Sequence, residues 1–357
     1  MKNYFKGLLN GFIKASFIKK IFIFFFIALY IFILVICFKK VNVEVITPGV
    51  VNNPSLSVSI ESEEEDKYIG TIGVYTYQKI SLLQYWLSKG NKEFTVTEIN
   101  ESTNLTDDEL LDQGVIMKDN SITNALINAY REASKTQEEV KIENLDTLYK
   151  GVTVTAIYKF ASTELRVGDL IVAVNGKTFK NSVEFNQICS EIRNEYDYLQ
   201  FSVVKGDETK TVYANFVERP NSENKNKVLG IAIDDTYDLP KTTPEYTISG
   251  NYKSVGPSGG AMIALALYDK LTPGDITKGK KIVGTGTIDF EGNIGAIGGI
   301  EQKIVTAKNY GVDIFFVDQY DYEQAKSAKE EHQAIFELVS VATFSDIIKY
   351  LNGLEEE

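Results

Sequence analysis

One serine of this chain has the local setting of a nucleophile. Ser258 follows Gly256 and Pro257, and two glycines separate it from an apolar run that extends from Ala261 to Leu271. Proline stops a preceding helix and glycine tolerates a tight turn, so the pattern predicts that Ser258 lies on a loop at a helix N-terminus. The unpaired N–H groups and dipole of such a terminus favour negative charge, which makes the N–H groups of Ser258 and Gly259 candidates for an oxyanion hole. The alternative is that Ser258 only caps the helix, as serine commonly does.

A serine hydroxyl is a weak nucleophile and needs a base. The single histidine, His332, lies in a charged helical segment, and no neighbouring residue suggests a triad around it. Lys303 is the stronger candidate, because apolar residues three positions before it and four positions after it place it at the edge of an apolar helical stripe. Gln302 and Lys308 can then face water. A pKa near 7.5 instead of about 10.4 would leave roughly a quarter of such a lysine neutral at pH 7. The alternative is that the Lys303 side chain extends to solvent.

Three linked motifs resemble the proteolytic domain of Lon-type (S16) peptidases. The motifs are Gly256 to Gly260, Gly284 to Gly286, and Gly298 to Lys303. The resemblance implies that Ser258 is the nucleophile, that Lys303 is the general base, and that Thr285 forms a hydrogen bond within the dyad. It also implies an α+β proteolytic domain over residues 218–353 and assembly into homo-oligomers. Many family members have an acidic residue just before the Gly-Pro-Ser motif, and this chain has Val255 there, which we interpret as the mark of a subgroup.

Several classes of partner are not supported by the sequence. No Gly-x-x-x-x-Gly-Lys-Ser/Thr phosphate loop occurs in it, so we expect neither an ATPase nor a need for ATP. One histidine and two distant cysteines give no metal cluster, and we expect no cofactor. Cys37 lies in the apolar N-terminal run and Cys189 in a helical segment of the body, so we expect no intramolecular disulfide between them. The net charge of −12 argues against nucleic acid as a partner. The resemblance to Lon-type peptidases implies proteins or peptides as the substrates.

The beginning of the chain has the features of a membrane anchor. The first 40 residues carry seven lysines and no acidic residue, and Ile21 to Phe38 is almost wholly apolar. As a helix this run measures about 27 Å, enough to cross a bilayer. A cleaved signal peptide is the alternative, but the run is long for one and no small-x-small site follows it. We expect residues 1–20 to form a basic cytoplasmic tail and residues 21–38 a single-pass anchor in a bacterial cell membrane. The body would then lie outside the cytoplasm.

Residues 140–217 show a strand-rich pattern. An alternating strand at Val152 to Ile157 is followed by a Val-Gly-Asp-Leu-Ile-x-x-Val-Asn-Gly run that begins at Val167. This run resembles a PDZ domain of the kind attached to bacterial proteases. The resemblance implies capture of an extended peptide by strand addition, with Gly151 and Val152 as the candidate peptide-binding residues. The alternative is a PDZ fold that only packs against the protease domain.

Together these patterns predict an α+β chain with an N-terminal transmembrane helix, a PDZ-like β-rich domain and a Lon-type α+β proteolytic domain. Residues 41–135 form an α/β region in which no chemistry is evident. The predicted function is that of a membrane-anchored, ATP-independent serine endopeptidase. It would use a Ser-Lys dyad to cleave unfolded or flexible segments of membrane or surface proteins. Two alternatives stay open: a proteolytically inert PDZ membrane adaptor, and an anion-binding module at the helix N-terminus beside Ser258.

Overall fold

The computed structural model of the chain describes residues 16–60, 68–99, 103, 105–193, 195–206, 208–220, 226–249 and 256–354. Val255, most of the basic tail and the three final glutamates lie outside these residues. The chain divides into a small unit, Met1–Thr47 with Tyr75–Ile99, and a large unit, Pro48–Val74 with Asn100–Glu357.

The helices differ widely in length and character. In chain order they are α1 Phe17–Phe38, α2 Leu82–Lys89, α3 Asp107–Ala133, α4 Ser182–Ile192, α5 Gly260–Leu271, α6 Ile300–Tyr310, α7 Tyr322–Glu331 and α8 Phe344–Asn352. Short 3₁₀ turns occupy Pro54–Leu56 and Leu145–Thr147.

The strands form two larger sheets and several short ladders. In chain order they are β1 Val43–Asn52, β2 Val58–Ile60, β3 Ile69–Gln78, β4 Thr95–Glu98, β5 Lys141–Glu143, β6 Tyr149–Ile157, β7 Ser162–Thr163, β8 Leu170–Val174, β9 Tyr198–Lys205, β10 Glu208–Asn215, β11 Val217–Glu218, β12 Lys227–Val228, β13 Ile231–Tyr237, β14 Lys241–Thr243, β15 Tyr246–Ile248, β16 Ile282–Gly284, β17 Thr287–Ile288, β18 Ile294–Gly295, β19 Ile314–Asp318 and β20 Glu337–Val341.

The small unit contains α1, α2, β4 and the adjoining parts of β1 and β3. Its α1 helix has 22 residues and contains an 18-residue stretch with a mean hydropathy of 3.3, so by length and composition it can cross a membrane. Ser81 and Gln84 start α2 with a capping box, in which each side chain accepts a backbone N–H of the other residue. Val43, Val45 and Ile80 form the small apolar core on which α2 lies.

The central sheet of the large unit sets the position of the candidate site. β16 pairs in parallel with β3 on one side and with β19 on the other, so Ile282 lies beside both Ile69 and Ile314. β20 continues the parallel pairing beyond β19. Thr285 follows β16 directly and Asp318 ends β19. Because parallel strands end at the same edge of a sheet, both residues lie at its carboxyl edge, where open α/β sheets commonly bind ligands.

The core of the large unit joins segments that are far apart in the sequence. Leu126 and Tyr130 of α3 pack with Met262 of α5 and with residues of β2, β3 and α8, and all three side chains are fully buried. A capping box between Thr106 and Glu109 starts α3, which continues unbroken for 27 residues. The sequence pattern assigned α3 to the 41–135 region, whereas the fold packs it with helices of the 218–353 segment. The apolar core thus joins residues on both sides of the boundaries that the sequence predicts. The boundaries themselves stay a prediction.

A second sheet holds the PDZ-like segment, with the strand order β13-β6-β8-β9-β10-β7. The α4 helix buries Phe185, Cys189 and Ile192 in the core of this sheet. Val183, near the start of the same helix, is 72% exposed. The sheet also includes β13, which lies beyond residue 217, where the sequence pattern ended this segment.

Candidate active site

The Ser258 turn is held against α3 and α5. Ser258 lies in the turn just before α5, and the N-cap residue of that helix is Gly259, with no side-chain hydrogen bond at the cap. The carbonyl oxygen of Pro257 accepts the Ser121 hydroxyl at 2.9 Å and the Gly260 N–H at 3.1 Å. Ser258 therefore lies at the helix N-terminus, as the sequence predicts, but its side chain does not cap the helix.

The residue after the N-cap must be glycine for steric reasons. A Cβ atom at Gly260 would collide with the Ser121 hydroxyl and would lie 2.8 Å from the Cγ2 atom of Ile288. Neither neighbour can withdraw easily, because both residues belong to the buried contact between α3, α5 and β17. Gly260 thus lets the serine turn approach the rest of the large unit closely.

Thr285 and Gly286 hold the Ser258 turn from the other side. The N–H of Gly286 donates to the carbonyl oxygen of Ser258 at 2.9 Å, and the Thr285 hydroxyl donates to the same oxygen at 3.2 Å. The backbone N–H of Thr285 donates to the carbonyl oxygen of Phe316 at 3.0 Å, which ties it to β19. Thr285 is 1% exposed. The serine turn is therefore fixed to the carboxyl edge of the central sheet.

Lys303 is buried beside Thr285. It lies in the first turns of α6, is 2% exposed, and donates from Nζ to the Thr285 Oγ1 atom at 2.9 Å. Burial lowers the pKa of Lys303 to about 8, and the nearby Asp321 carboxylate opposes part of this change. The side chain does not extend to solvent. Gln302 is also 2% exposed, which corrects the expectation that it faces water, whereas Lys308 is exposed.

Two aspartates between the end of β19 and the start of α7 were not identified from the sequence. Asp318 is fully buried, and its Oδ1 atom accepts the Tyr320 N–H at 2.8 Å, while burial raises the pKa of its carboxyl group. Asp321 accepts the N–H of Ile297 at 2.8 Å and favours the charged form of Lys303. Asp318 could have been noticed in the sequence, because it ends the apolar strand before α7 and aspartate is rarely buried at a strand end.

The N–H groups of Ser258 and Gly259 are available for an oxyanion as far as the described residues show. Neither donates to an acceptor in the part of the chain that the structure describes. His332 ends α7 as its C-cap, with its N–H donating to the carbonyl oxygen of Ala328, and no hydrogen bond of the described residues joins it to the serine turn. Within the described ranges no group of three or more His, Cys, Asp or Glu side chains could hold a metal ion.

The predicted peptide site at Gly151 and Val152 has no open strand edge. β6 pairs on one side with β13, where Val152 lies opposite Asp235, and on the other side with β8. The hydroxyls of Tyr149 and Ser182 hold Asp235 in place at 3.1 and 2.7 Å. An added peptide strand would need the position along β6 that β13 occupies. This corrects the expectation of strand addition at these two residues.

Comparison with known proteins identifies the segment that carries the site. Residues 244–352 match the family model of the Lon protease (S16) C-terminal proteolytic domain. This segment includes Ser258, Thr285 and Lys303. The predicted α+β chain with an apolar N-terminal helix and a Lon-type proteolytic domain is therefore confirmed.

Two curated relatives agree with this match. The Lon protease of Aster yellows witches'-broom phytoplasma is 35% identical over 92 residues, which are 26% of this chain and 11% of that protein. The Lon protease of Campylobacter concisus is 26% identical over 173 residues, which are 48% of this chain and 21% of that protein. The chain thus spans about a fifth or less of the length of these relatives.

One solved structure matches another part of the chain. The PDZ domain of the SdrC-like protein from Listeria monocytogenes is 24% identical and covers 24% of this chain and 88% of that domain, with a TM-score of 0.20. A TM-score this low does not establish a shared fold.

Proposed function

We propose that this chain is a membrane-anchored, ATP-independent serine endopeptidase with a Ser258–Lys303 dyad. The observation that carries the proposal is the hydrogen-bonded chain from Lys303 through Thr285 to the Ser258 turn, within a Lon-type domain. A buried lysine with a pKa of about 8 holds roughly a tenth of its molecules as the free base at pH 7. That fraction is about a hundred times larger than for a lysine with a pKa near 10.

In the first step the Ser258 hydroxyl attacks the scissile carbonyl carbon while Lys303 takes its proton. The negative charge that develops on the carbonyl oxygen is stabilised by the N–H groups of Ser258 and Gly259 at the N-terminus of α5. Lys303 then returns the proton to the leaving amine, and an acyl-enzyme remains. A water molecule hydrolyses this ester, with Lys303 again acting as the base.

Thr285 acts as a positioning residue in this mechanism. Its hydroxyl accepts one hydrogen from the Lys303 amine and donates its own hydrogen to the carbonyl oxygen of Ser258. A neutral amine has two hydrogens and one lone pair, so the bond to Thr285 leaves the lone pair free for the serine proton. The threonine therefore orients the base without touching the substrate.

The anchor and the substrate class follow from α1 and from the motifs of the chain. The length and apolar composition of α1 support a single membrane span. The excess of lysines before the span favours a cytoplasmic tail and an extracytoplasmic body. Because the sequence contains no phosphate loop, we propose that ATP is not used and that substrates are already unfolded or flexible. Unfolded or flexible segments of membrane and surface proteins would be such substrates, and they would lie close to the active site of an anchored protease.

The test uses the full chain in detergent micelles with unfolded casein and without ATP. Wild-type protein should release fragments, and Ser258→Ala and Lys303→Ala should each abolish release. The double variant should be hardly worse, because the dyad acts as a unit. Lys308→Ala is the matched control, since it removes an exposed lysine from the same helix. Equal fragment release by wild type and Ser258→Ala would disprove the proposed nucleophile, and no release by either would favour the inert adaptor.

A further inference from the structure

The small unit exposes an apolar helical face that the proposed peptidase chemistry does not use. Leu83, Trp86 and Leu87 follow one another at the i, i+3 and i+4 spacing, which places them on one side of α2. Trp86 is 50% exposed and Leu87 is 69% exposed. We call Leu83, Trp86 and Leu87 the outer face of α2.

The opposite side of α2 already packs inside the small unit. Tyr85 lies against the core of Val43, Val45 and Ile80, and Ser88 is buried. The helix therefore exposes an apolar side in addition to the side that packs on the core, whereas a soluble surface helix normally exposes a polar side. The outer face is the side that the core does not require.

Hydrogen bonds fix α2 directly at the end of the apolar helix α1. The N–H of Leu82 donates to the carbonyl oxygen of Lys39 at 2.9 Å, and the N–H of Val41 donates to that of Ile80 at 2.9 Å. Lys39 is the first residue after α1, and α1 and α2 pack against each other. The start of α2 is thus held beside the residue that directly follows α1.

This attachment limits how far Trp86 can lie from the end of the span. Four helical residues separate the Cα atoms of Leu82 and Trp86 by about 6 Å, whatever the direction of α2. The polar layer of a bilayer extends roughly 5 to 8 Å beyond each side of the hydrocarbon core. If α1 spans the membrane, the outer face of α2 therefore lies at the depth of the lipid headgroups.

The charge of the small unit fits an anionic lipid surface. After α1, its glutamates are Glu44, Glu93 and Glu98, and its lysines are Lys39, Lys40, Lys79, Lys89 and Lys92. This excess of positive charge contrasts with the net charge of −12 of the whole chain. Lysines near a membrane surface are attracted to anionic lipids, and tryptophan and tyrosine are enriched at the same depth.

We propose that the outer face of α2 inserts into the headgroup layer of an anionic bilayer, on the side where α1 ends. The inference rests on the proposed membrane anchor. The small unit would then be a second membrane contact that fixes its orientation on the lipid surface, in addition to the span. The indole ring of Trp86 would enter the boundary between the headgroups and the acyl chains, while the lysines of the small unit contact lipid phosphate groups.

Trp86 is itself the probe, because the chain contains one tryptophan. The full chain is reconstituted into vesicles of phosphatidylcholine and phosphatidylglycerol whose acyl chains carry bromine, a quencher of tryptophan fluorescence. Bromine is placed close to the headgroup in one preparation and close to the end of the acyl chain in another. We expect blue-shifted emission from Trp86, with stronger quenching by the shallow bromine. A Tyr30→Trp, Trp86→Phe double variant moves the tryptophan into α1 and should be quenched more strongly by the deep bromine.

Each contrary result has a distinct meaning. Emission from Trp86 at the wavelength of water-exposed tryptophan, with Tyr30→Trp still quenched, would overturn the inference and leave the anchor intact. Blue-shifted emission from Trp86 without bromine quenching would also overturn it, because the face would then be covered by protein. If neither position is quenched, both the anchor and the inference fail. The casein test with Ser258→Ala separately decides the peptidase proposal.

Discussion

The Nζ atom of Lys303 lies 2.9 Å from the Oγ1 atom of Thr285, and both groups are almost completely buried. The Thr285 hydrogen is directed to the carbonyl oxygen of Ser258, so the hydroxyl oxygen is left to accept from the lysine. The direction of these two hydrogen bonds orients the amine without consuming its lone pair. It also couples the position of the base to the position of the serine turn.

Removing the Thr285 hydroxyl should lower catalysis while leaving substrate binding largely intact. In Thr285→Ala the amine loses its orienting acceptor, and a misplacement of about 1 Å can cost roughly 100-fold in rate. We expect a fall of this order in kcat with little change in KM. Thr285→Ser keeps the hydroxyl and should recover most of the activity. An equal loss in both variants would mean that packing of the threonine methyl group, and not the hydroxyl, is what matters.

Activity should rise with pH through the pKa of Lys303. The base must be neutral to accept the serine proton, and burial lowers the pKa of Lys303 to about 8. We therefore expect kcat/KM on a fluorogenic peptide to increase about tenfold per pH unit below pH 8 and to level off above it. At pH 7 the rate should be roughly a tenth of the plateau. A profile that is flat between pH 6 and about 9 would exclude Lys303 as the base.

Asp321 should determine the pH at which the activity rises. Its carboxylate favours the protonated form of Lys303 and so raises the pKa of the lysine against the effect of burial. Asp321→Asn keeps an oxygen for the Ile297 N–H but removes the charge. We expect the rising limb to move to lower pH, which increases the activity measured at pH 7. Glu323→Gln is the matched control, because it removes an exposed charge from the same helix, and a similar movement there would indicate a general surface effect.

The local parts of the site could be predicted from the sequence, whereas the parts that depend on tertiary contacts could not. Ser258, Thr285 and Lys303 each lie within four residues of a glycine, so their turns and helix start are encoded nearby. The burial of Gln302 could not be predicted from the local sequence, because other elements of the fold cover α6 on more than one side. Asp321 likewise acts on Lys303 only because β19, α7 and α6 meet in the folded chain.

The same distinction applies to the fold. The helices that contain Lys303 and follow Ser258 were predicted from periodicity over a few turns, and the structure has them at α6 and α5. The long α3 helix was expected in a separate region, yet its buried face is completed by α5. Nothing in the local pattern around residue 126 specifies which later helix covers it. β13 similarly pairs with β6 across about 80 residues, a contact that alternating hydrophobicity does not specify.

The buried amine should make the protein less stable than it would be with an apolar residue at position 303. Burial lowers the pKa of Lys303 from 10.5 to about 8, and a pKa difference of one between the folded and unfolded chain corresponds to about 1.4 kcal/mol. The cost at pH 7 is therefore about 3 kcal/mol. Lys303→Met removes this cost and loses a hydrogen bond to Thr285 worth about 1 kcal/mol. We expect the variant to be inactive and more stable by about 2 kcal/mol at pH 7.

The direction in which the stability changes with pH tests the buried state of the Lys303 amine more strictly. Between pH 8 and about 10.5 the unfolded chain binds a proton at Lys303 that the folded chain has already released, so this residue makes stability rise with pH in that window. Thermal unfolding of the full chain in detergent micelles, followed by near-ultraviolet circular dichroism at pH 7 and pH 10, measures the effect. Lys303→Met should lose this rise relative to wild type, and Lys308→Met, which alters an exposed lysine on the same helix, should retain it. Equal pH dependence in both variants would mean that the Lys303 amine is solvated in the folded protein and is not a poised base.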